Sequence, residues 1–283
     1  MTALPADTHM GEVHLGVADL DRSIGYYGSA LGLQVHERSD GRAALGTGGE
    51  DLLVLTERPG AVPARGVTGL YHFALLVPER ADLAAWLAHA ARDRVPMGGL
   101  SDHFVSEALY LSDPDGHGIE IYCDRPREIW AGKVGTTLTT MPLDVDDLLG
   151  VLDDPATEPF DALPAGTAMG HVHLKVSSIP ETIEFYRDVL GLDLTAQLGD
   201  QAAFLSAGGY HHHVGANTWE SAGAPPPPPG TTALRHATVV LPDEQARAGV
   251  VAAVESAGLP VGDHEGEPLV RDPSGNALVL VVS

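Results

Sequence analysis

The chain has 283 residues, 44% of them hydrophobic, which is enough for two domains of ordinary size with filled cores. A formal net charge of −23, dispersed rather than gathered in tails, repels phosphate backbones and anionic membranes and argues against both as partners. The lone cysteine, Cys123, allows no intrachain disulfide, residues 1–10 carry no basic segment followed by an apolar run, and no stretch approaches the roughly 20 apolar residues of a membrane span, so a cytoplasmic protein is expected.

Taken in chain order, Gly11–Val17 predicts a strand, Asp19 to Tyr27 an amphipathic helix, and Leu31-Gly32-Leu33 its stop. Short strand candidates follow at Ala43–Leu45 and Leu52–Leu55. A second unit opens with a strand at Leu70–Val77 and a helix at Ala81–Arg92, where Leu83 and Leu87 share a face. It closes with the turn Asp113-Pro114-Asp115-Gly116 and the strand Ile119–Tyr122. The stretch 126–168 is rich in Pro, Asp and Thr, with a short helix expected around Asp146–Leu149. Gly170–Val176 then repeats the opening pattern, followed by Phe185-Tyr186, Leu190-Gly191-Leu192 and a strand candidate at Ala202–Leu205. The run Pro225–Pro229 has the chemistry of a stiff polyproline II spacer. It leads to a strand at Leu234–Leu241, a helix at Glu244–Ala257, the turn Asp272-Pro273-Ser274-Gly275 and a strand at Leu278–Leu280.

These are four copies of one βαβββ module, at 10–60, 68–124, 169–222 and 231–283. One module leaves an apolar sheet face open, so modules must pair, giving an α+β protein with cupped mixed sheets around a cavity. Sequential pairing is expected, because the connector 126–168 falls between the second and third modules; it gives an N-terminal domain at 1–125 and a C-terminal domain at 169–283. The alternative pairs the second module with the third and assembles His72, Glu120, His171 and His212.

Ionisable residues recur at matched points. Glu12, His72, His171 and His236 occupy the same place in the four opening strands, and Glu120 lies in a last strand where the fourth module has Val279. Side chains alternate along a strand, so His14 shares a face with Glu12, and His173 with His171. Imidazoles and carboxylates converging in one cavity are the raw material of a divalent metal site. Two histidines with one carboxylate suit non-haem Fe(II) oxygen chemistry. A lone strand histidine is more often packed than ligating, but repetition at matched positions raises this set above that reading. His171, His212 and His236 form a rival site in the second half, suited to Zn or Fe.

The module, its punctuation and the stretches Gly69–Ala74, Ser101–Tyr122, Asp124-Arg125-Pro126 and Ser206–His213 resemble the vicinal-oxygen-chelate superfamily of glyoxalases, bleomycin-resistance proteins and extradiol dioxygenases. The whole chain is similar to its two-domain catechol-2,3-dioxygenase-like members. The resemblance implies a metal held by one histidine from each of two opening strands and a glutamate from a last strand. His72 and Glu120 match, whereas Glu12 stands where the other histidine belongs, with His14 as its alternative. It also implies that Tyr110 and His103 contact the bound catechol, His103 as the acid–base group. The implied activity is extradiol ring cleavage of a small aromatic with O2. The implied cofactor is a divalent metal, Fe(II) first, with Mn(II) or Zn(II) as alternatives. Glu12 keeps open a non-oxidative isomerase, lyase or transferase, and a metal-free drug- or metabolite-binding protein. A homo-oligomer is compatible with the fold.

Overall fold

The computed structural model describes residues 3–283. Module one comprises β1 (His9–Val17), α1 (Leu20–Leu31), β2 (Gln34–Ser39), β3 (Arg42–Gly46) and β4 (Asp51–Glu57), trailed by the short β5 (Val62–Pro63). Asp19 caps α1 by accepting from the Arg22 amide, and Gly32, at φ 68°, ends it in the left-handed conformation that glycine adopts at least cost. Module two is β6 (Gly69–Leu76), α2 (Arg80–Asp93), β7 (Gly99–Asp102), β8 (Ser106–Ser112) and β9 (Gly118–Asp124). The connector holds α3 (Arg127–Trp130), α4 (Val134–Thr137), β10 (Met141–Pro142) and α5 (Val145–Leu149). Module three is β11 (Ala168–Lys175), α6 (Ile179–Ile183) widening into a π-helical stretch at Glu184–Val189, β12 (Asp193–Leu198), β13 (Ala202–Ser206) and β14 (Val214–Asn217). After β15 (Thr231–Thr232), module four is β16 (Leu234–Leu241), α7 (Glu244–Ser256), β17 (Gly262–His264), β18 (Glu267–Arg271) and β19 (Ala277–Val282). No helix among the described residues is long and apolar enough to cross a membrane.

Two mixed sheets carry the fold. One runs β17-β18-β19-β16-β1-β4-β3-β2, the other β10-β7-β8-β9-β6-β11-β14-β13-β12. Module one therefore shares a sheet with module four, and module two with module three. This corrects the expectation of sequential pairing. The opening strands join antiparallel across the halves of the chain, β1 with β16 and β6 with β11. The connector does not act as a spacer between two pairs. Its β10 extends the second sheet beside β7, and Leu143 and Leu148 are buried.

Sequential modules are tied in a different way. The Tyr27 hydroxyl donates to Asp113 Oδ2 at 3.0 Å, and the Tyr186 hydroxyl to Asp272 Oδ2 at 3.3 Å. Each aspartate opens the Asp-Pro turn of the following module, and its other oxygen accepts two backbone amides of that turn. Trp86 of α2 also donates its indole N–H to the Ala30 carbonyl of α1 at 2.9 Å. Sheets thus pair one to four and two to three, while helices and turns lock one to two and three to four.

Candidate functional site

The second sheet explains how its polar residues converge. Ala74 in β6 pairs with Glu120 of the parallel β9 on one side and with His171 of the antiparallel β11 on the other. Paired residues face the same way, and His72 lies two residues before Ala74, so all three side chains share one sheet face. His72 Nε2 lies 2.9 Å and His171 Nε2 3.2 Å from Glu120 Oε2, and the donor atoms all fall within 4.8 Å of one another. All three residues are buried. Gly118 permits the close approach of β9, because a Cβ there would sit 2.1 Å from the Tyr71 carbonyl oxygen and 3.0 Å from His72 Cβ.

Burial works to raise the Glu120 pKa, but His171 and His72 outweigh it and hold the carboxyl well below its ordinary range. Burial pushes His171 down to about 4 against the opposing pull of Glu120. At neutral pH the site is thus one carboxylate beside a neutral His171. Among the described residues, buried His72 Nε2, although close to the carboxylate, has no hydrogen-bond partner, and neither does His171 Nδ1. An anionic oxygen with two imidazoles, each holding an unpaired buried nitrogen, fits a divalent metal ion.

His103 and Tyr110 lie on the same cavity, and their geometry fixes the tautomer. His103 Nδ1 is 2.7 Å from the Thr139 carbonyl oxygen, which only accepts, so Nδ1 carries the proton. Nε2 then holds the lone pair and accepts from the Tyr110 hydroxyl at 2.7 Å. The turn that aims His103 is anchored: Phe104 is left-handed at φ 68°, its amide donates to Asp102, and Arg125 grips Asp102 through two bonds of 2.9 and 2.8 Å. Such a conformation costs energy in a bulky residue and persists because its surroundings enforce it.

The cavity measures about 700 Å³ and is walled by Tyr71, Phe204, Leu138 and Trp219. Leu138 and Thr139 belong to the connector, which lines the site. His212 lines it too, with its ring centroid 4.1 Å from that of His171. His211 donates from Nε2 to Asp124 at 2.9 Å, so its Nδ1 accepts from His212 Nδ1–H at 2.8 Å. This leaves His212 Nε2 as an acceptor.

Several expectations need correction here. Neither Glu12 nor His14 joins His72 and Glu120; both lie on β1 in the other sheet, and Glu12 accepts from Thr238 at 3.0 Å. The third member of the cluster is His171, because β11 rather than β1 runs beside β6. The rival set also divides: His171 and His212 are in this cavity, while His236 is on β16 in the first sheet. Sequence reasoning placed no role on His173, which faces His72 directly across the strand pair and whose buried Nε2 has no partner among the described residues. Alternation had put it on the right face. No motif marked the connector residues or Trp219.

A four-module cupped fold with two histidines and a glutamate on one sheet face defines a class of cavity protein with a candidate divalent-metal site. The Glyoxalase/Bleomycin resistance protein/Dioxygenase superfamily matches the chain twice, over residues 9–121 and 168–280, and the chain belongs to that superfamily. A catechol-2,3-dioxygenase of Bacillus subtilis strain 168 is 43% identical over 100% of both chains, and this kinship makes the protein an oxidoreductase of the dioxygenase kind. Among solved structures, a protein of Bacillus subtilis strain 168 provisionally assigned as a dioxygenase superposes with a TM-score of 0.64 at 17% identity, covering 99% of this chain and 86% of its own. Glyoxalase I from Zea mays does so with a TM-score of 0.58 at 17% identity, covering 98% and 92%. These two likenesses concern the fold.

Proposed function

We propose that the protein is an extradiol-type ring-cleaving dioxygenase acting on a catechol-like aromatic. One convergence carries this reading: His72, Glu120 and His171 share a single cavity with the His103–Tyr110 pair. The catechol-2,3-dioxygenase relative supports it. A divalent ion held by His72, His171 and Glu120, Fe(II) in this reading, would supply Lewis acidity toward the two vicinal substrate oxygens and the redox capacity that O2 chemistry needs.

The chain's own residues do the positioning and proton handling. His103 Nε2 takes a phenolic proton, and the imidazolium is steadied by its Nδ1–H bond to the Thr139 carbonyl. The Tyr110 hydroxyl, freed from Nε2, then donates to the developing phenolate oxygen. Burial holds the Tyr110 pKa well above its ordinary value, so it stays a donor. Phe204, Trp219 and Leu138 line the cavity and offer apolar surface to the ring. His212 Nε2 offers an acceptor on the same wall.

Oxygen uptake by anaerobically Fe(II)-loaded protein across a panel of catechols tests the reading. Stoichiometric uptake with a yellow ring-opened product is expected. Silence from protein shown by elemental analysis to hold its metal would refute ring cleavage and favour non-oxidative chemistry.

A further inference from the structure

The first sheet holds its own histidine cluster, in which His236 keeps the place of His72 and the other two members come from different positions of the module. His14 faces His236 directly across β1 and β16, just as His173 faces His72 across β11 and β6. His264 ends β17, the counterpart of β7, and is followed by Glu265 in the left-handed conformation at φ 56°. His103 is followed in the same way by Phe104 at φ 68°. The positions that supply His171 and Glu120 in the second sheet carry Glu12 and Val279 in the first, with Glu12 bound to Thr238. The cup is therefore retained and its donors rearranged.

The geometry is that of a ligand set. One nitrogen from each of His14, His236 and His264 lies within 4.8 Å of the others. Ring centroids are 4.8 Å apart for His14 and His236, 4.3 Å for His236 and His264, and 6.2 Å for His14 and His264. His14 and His236 are buried, and His264 is half-buried at the edge. The His14 ring is fixed by a 2.6 Å hydrogen bond between Nε2 and Thr56 Oγ1, while its Nδ1 is buried with no partner among the described residues. A metal-ligating imidazole commonly has this form, one nitrogen held by a neighbour and the other free to donate. An unpaired buried nitrogen is otherwise a cost that apolar packing would avoid.

We propose that His14, His236 and His264 form a second metal site, separate from the ring-cleavage centre, that takes a borderline late first-row ion such as Zn(II). Three neutral imidazoles suit Zn(II), Cu(II) or Ni(II), whereas the carboxylate in the other cluster favours harder ions. Three protein donors leave an open position for water or an anion. Arg42 and Arg235 both act electrostatically on His14 and His236, which favours an anion there. Arg42 is itself bound to Glu265 at 3.0 Å, beside His264.

The test is zinc stoichiometry of the metal-free full-length protein, by equilibrium dialysis and elemental analysis. His264→Ala, with His264→Gln as a second variant that keeps side-chain bulk, should bind one zinc ion per chain fewer than the wild type. His171→Ala should lower the count independently. Loading with Co(II) should give the intense visible bands of a four-coordinate site, lost in His264→Ala. Ring cleavage by Fe(II)-loaded His264→Ala should stay within about twofold of wild type, which separates this site from the catalytic reading. Equal zinc content and an unchanged Co(II) spectrum in both His264 variants would overturn the proposal.

Discussion

At the residue scale the informative group is His103. The Thr139 carbonyl forces the proton onto Nδ1, so Nε2 is basic before substrate arrives. His103→Gln should therefore lower kcat roughly 10²–10⁴-fold, the usual worth of a positioned general base, while metal content and catechol affinity hold. Single-turnover kinetics and elemental analysis would check this, and an unchanged kcat would move proton removal elsewhere. His72 and Glu120 stand at matched points of the repeated module, whereas His103 and Tyr110 were suggested by the family resemblance alone. Sequential pairing separates His171 from His72, and only the alternative pairing groups them. A strand's own sequence does not encode which strand runs beside it, so Glu12 and His171, at the same place in sister strands, were indistinguishable as partners for His72.

At the scale of elements, the paired Tyr–Asp ties explain two motifs that had read as mere punctuation. The aromatic pairs at Tyr26-Tyr27 and Phe185-Tyr186 each supply one hydroxyl to the Asp-Pro turn 86 residues later. Asp113 and Asp272 are buried, and burial raises the pKa of both, so each depends on its donors. Tyr27→Phe should cost about 1–3 kcal/mol in urea unfolding, since it leaves a buried carboxylate oxygen short of a bond. A loss smaller than the error of the measurement would show that water replaces the hydroxyl. Strands and helices were readable because apolar period and glycine stops agree locally. The π-helical stretch at Glu184–Val189 was not, since its sequence keeps the ordinary helical pattern.

For the whole molecule, buried imidazoles set the acid limit of the metal-free protein. Burial lowers His14 and His213 to about 3, and His171 and His236 to about 4, from an ordinary 6.5. These groups are neutral in both states above the unfolded value. Below it the unfolded chain takes protons that the folded chain refuses, so stability falls as pH drops from about 6.5 toward about 4, by up to about 1.4 kcal/mol per pH unit for each histidine. Urea titrations of chelator-treated protein at stepped pH would show the slope, and a flat profile between pH 7 and 5 would contradict it. The number of modules was plain from internal repetition. Their partnership was not, because it is fixed by contacts between strands far apart in the chain.

That partnership also sets a timetable for biosynthesis. One edge of β1 pairs with β4 within the same module, but the other edge belongs to β16, at Leu234–Leu241. At ribosomal rates of about 5–20 residues per second, the nascent chain carries that open edge for roughly 10–40 s before its mate emerges. An unpaired strand edge is a template for the wrong neighbour, and crowded polysomes offer many identical ones. The newborn protein therefore passes through a long interval in which that edge stands open to mispairing.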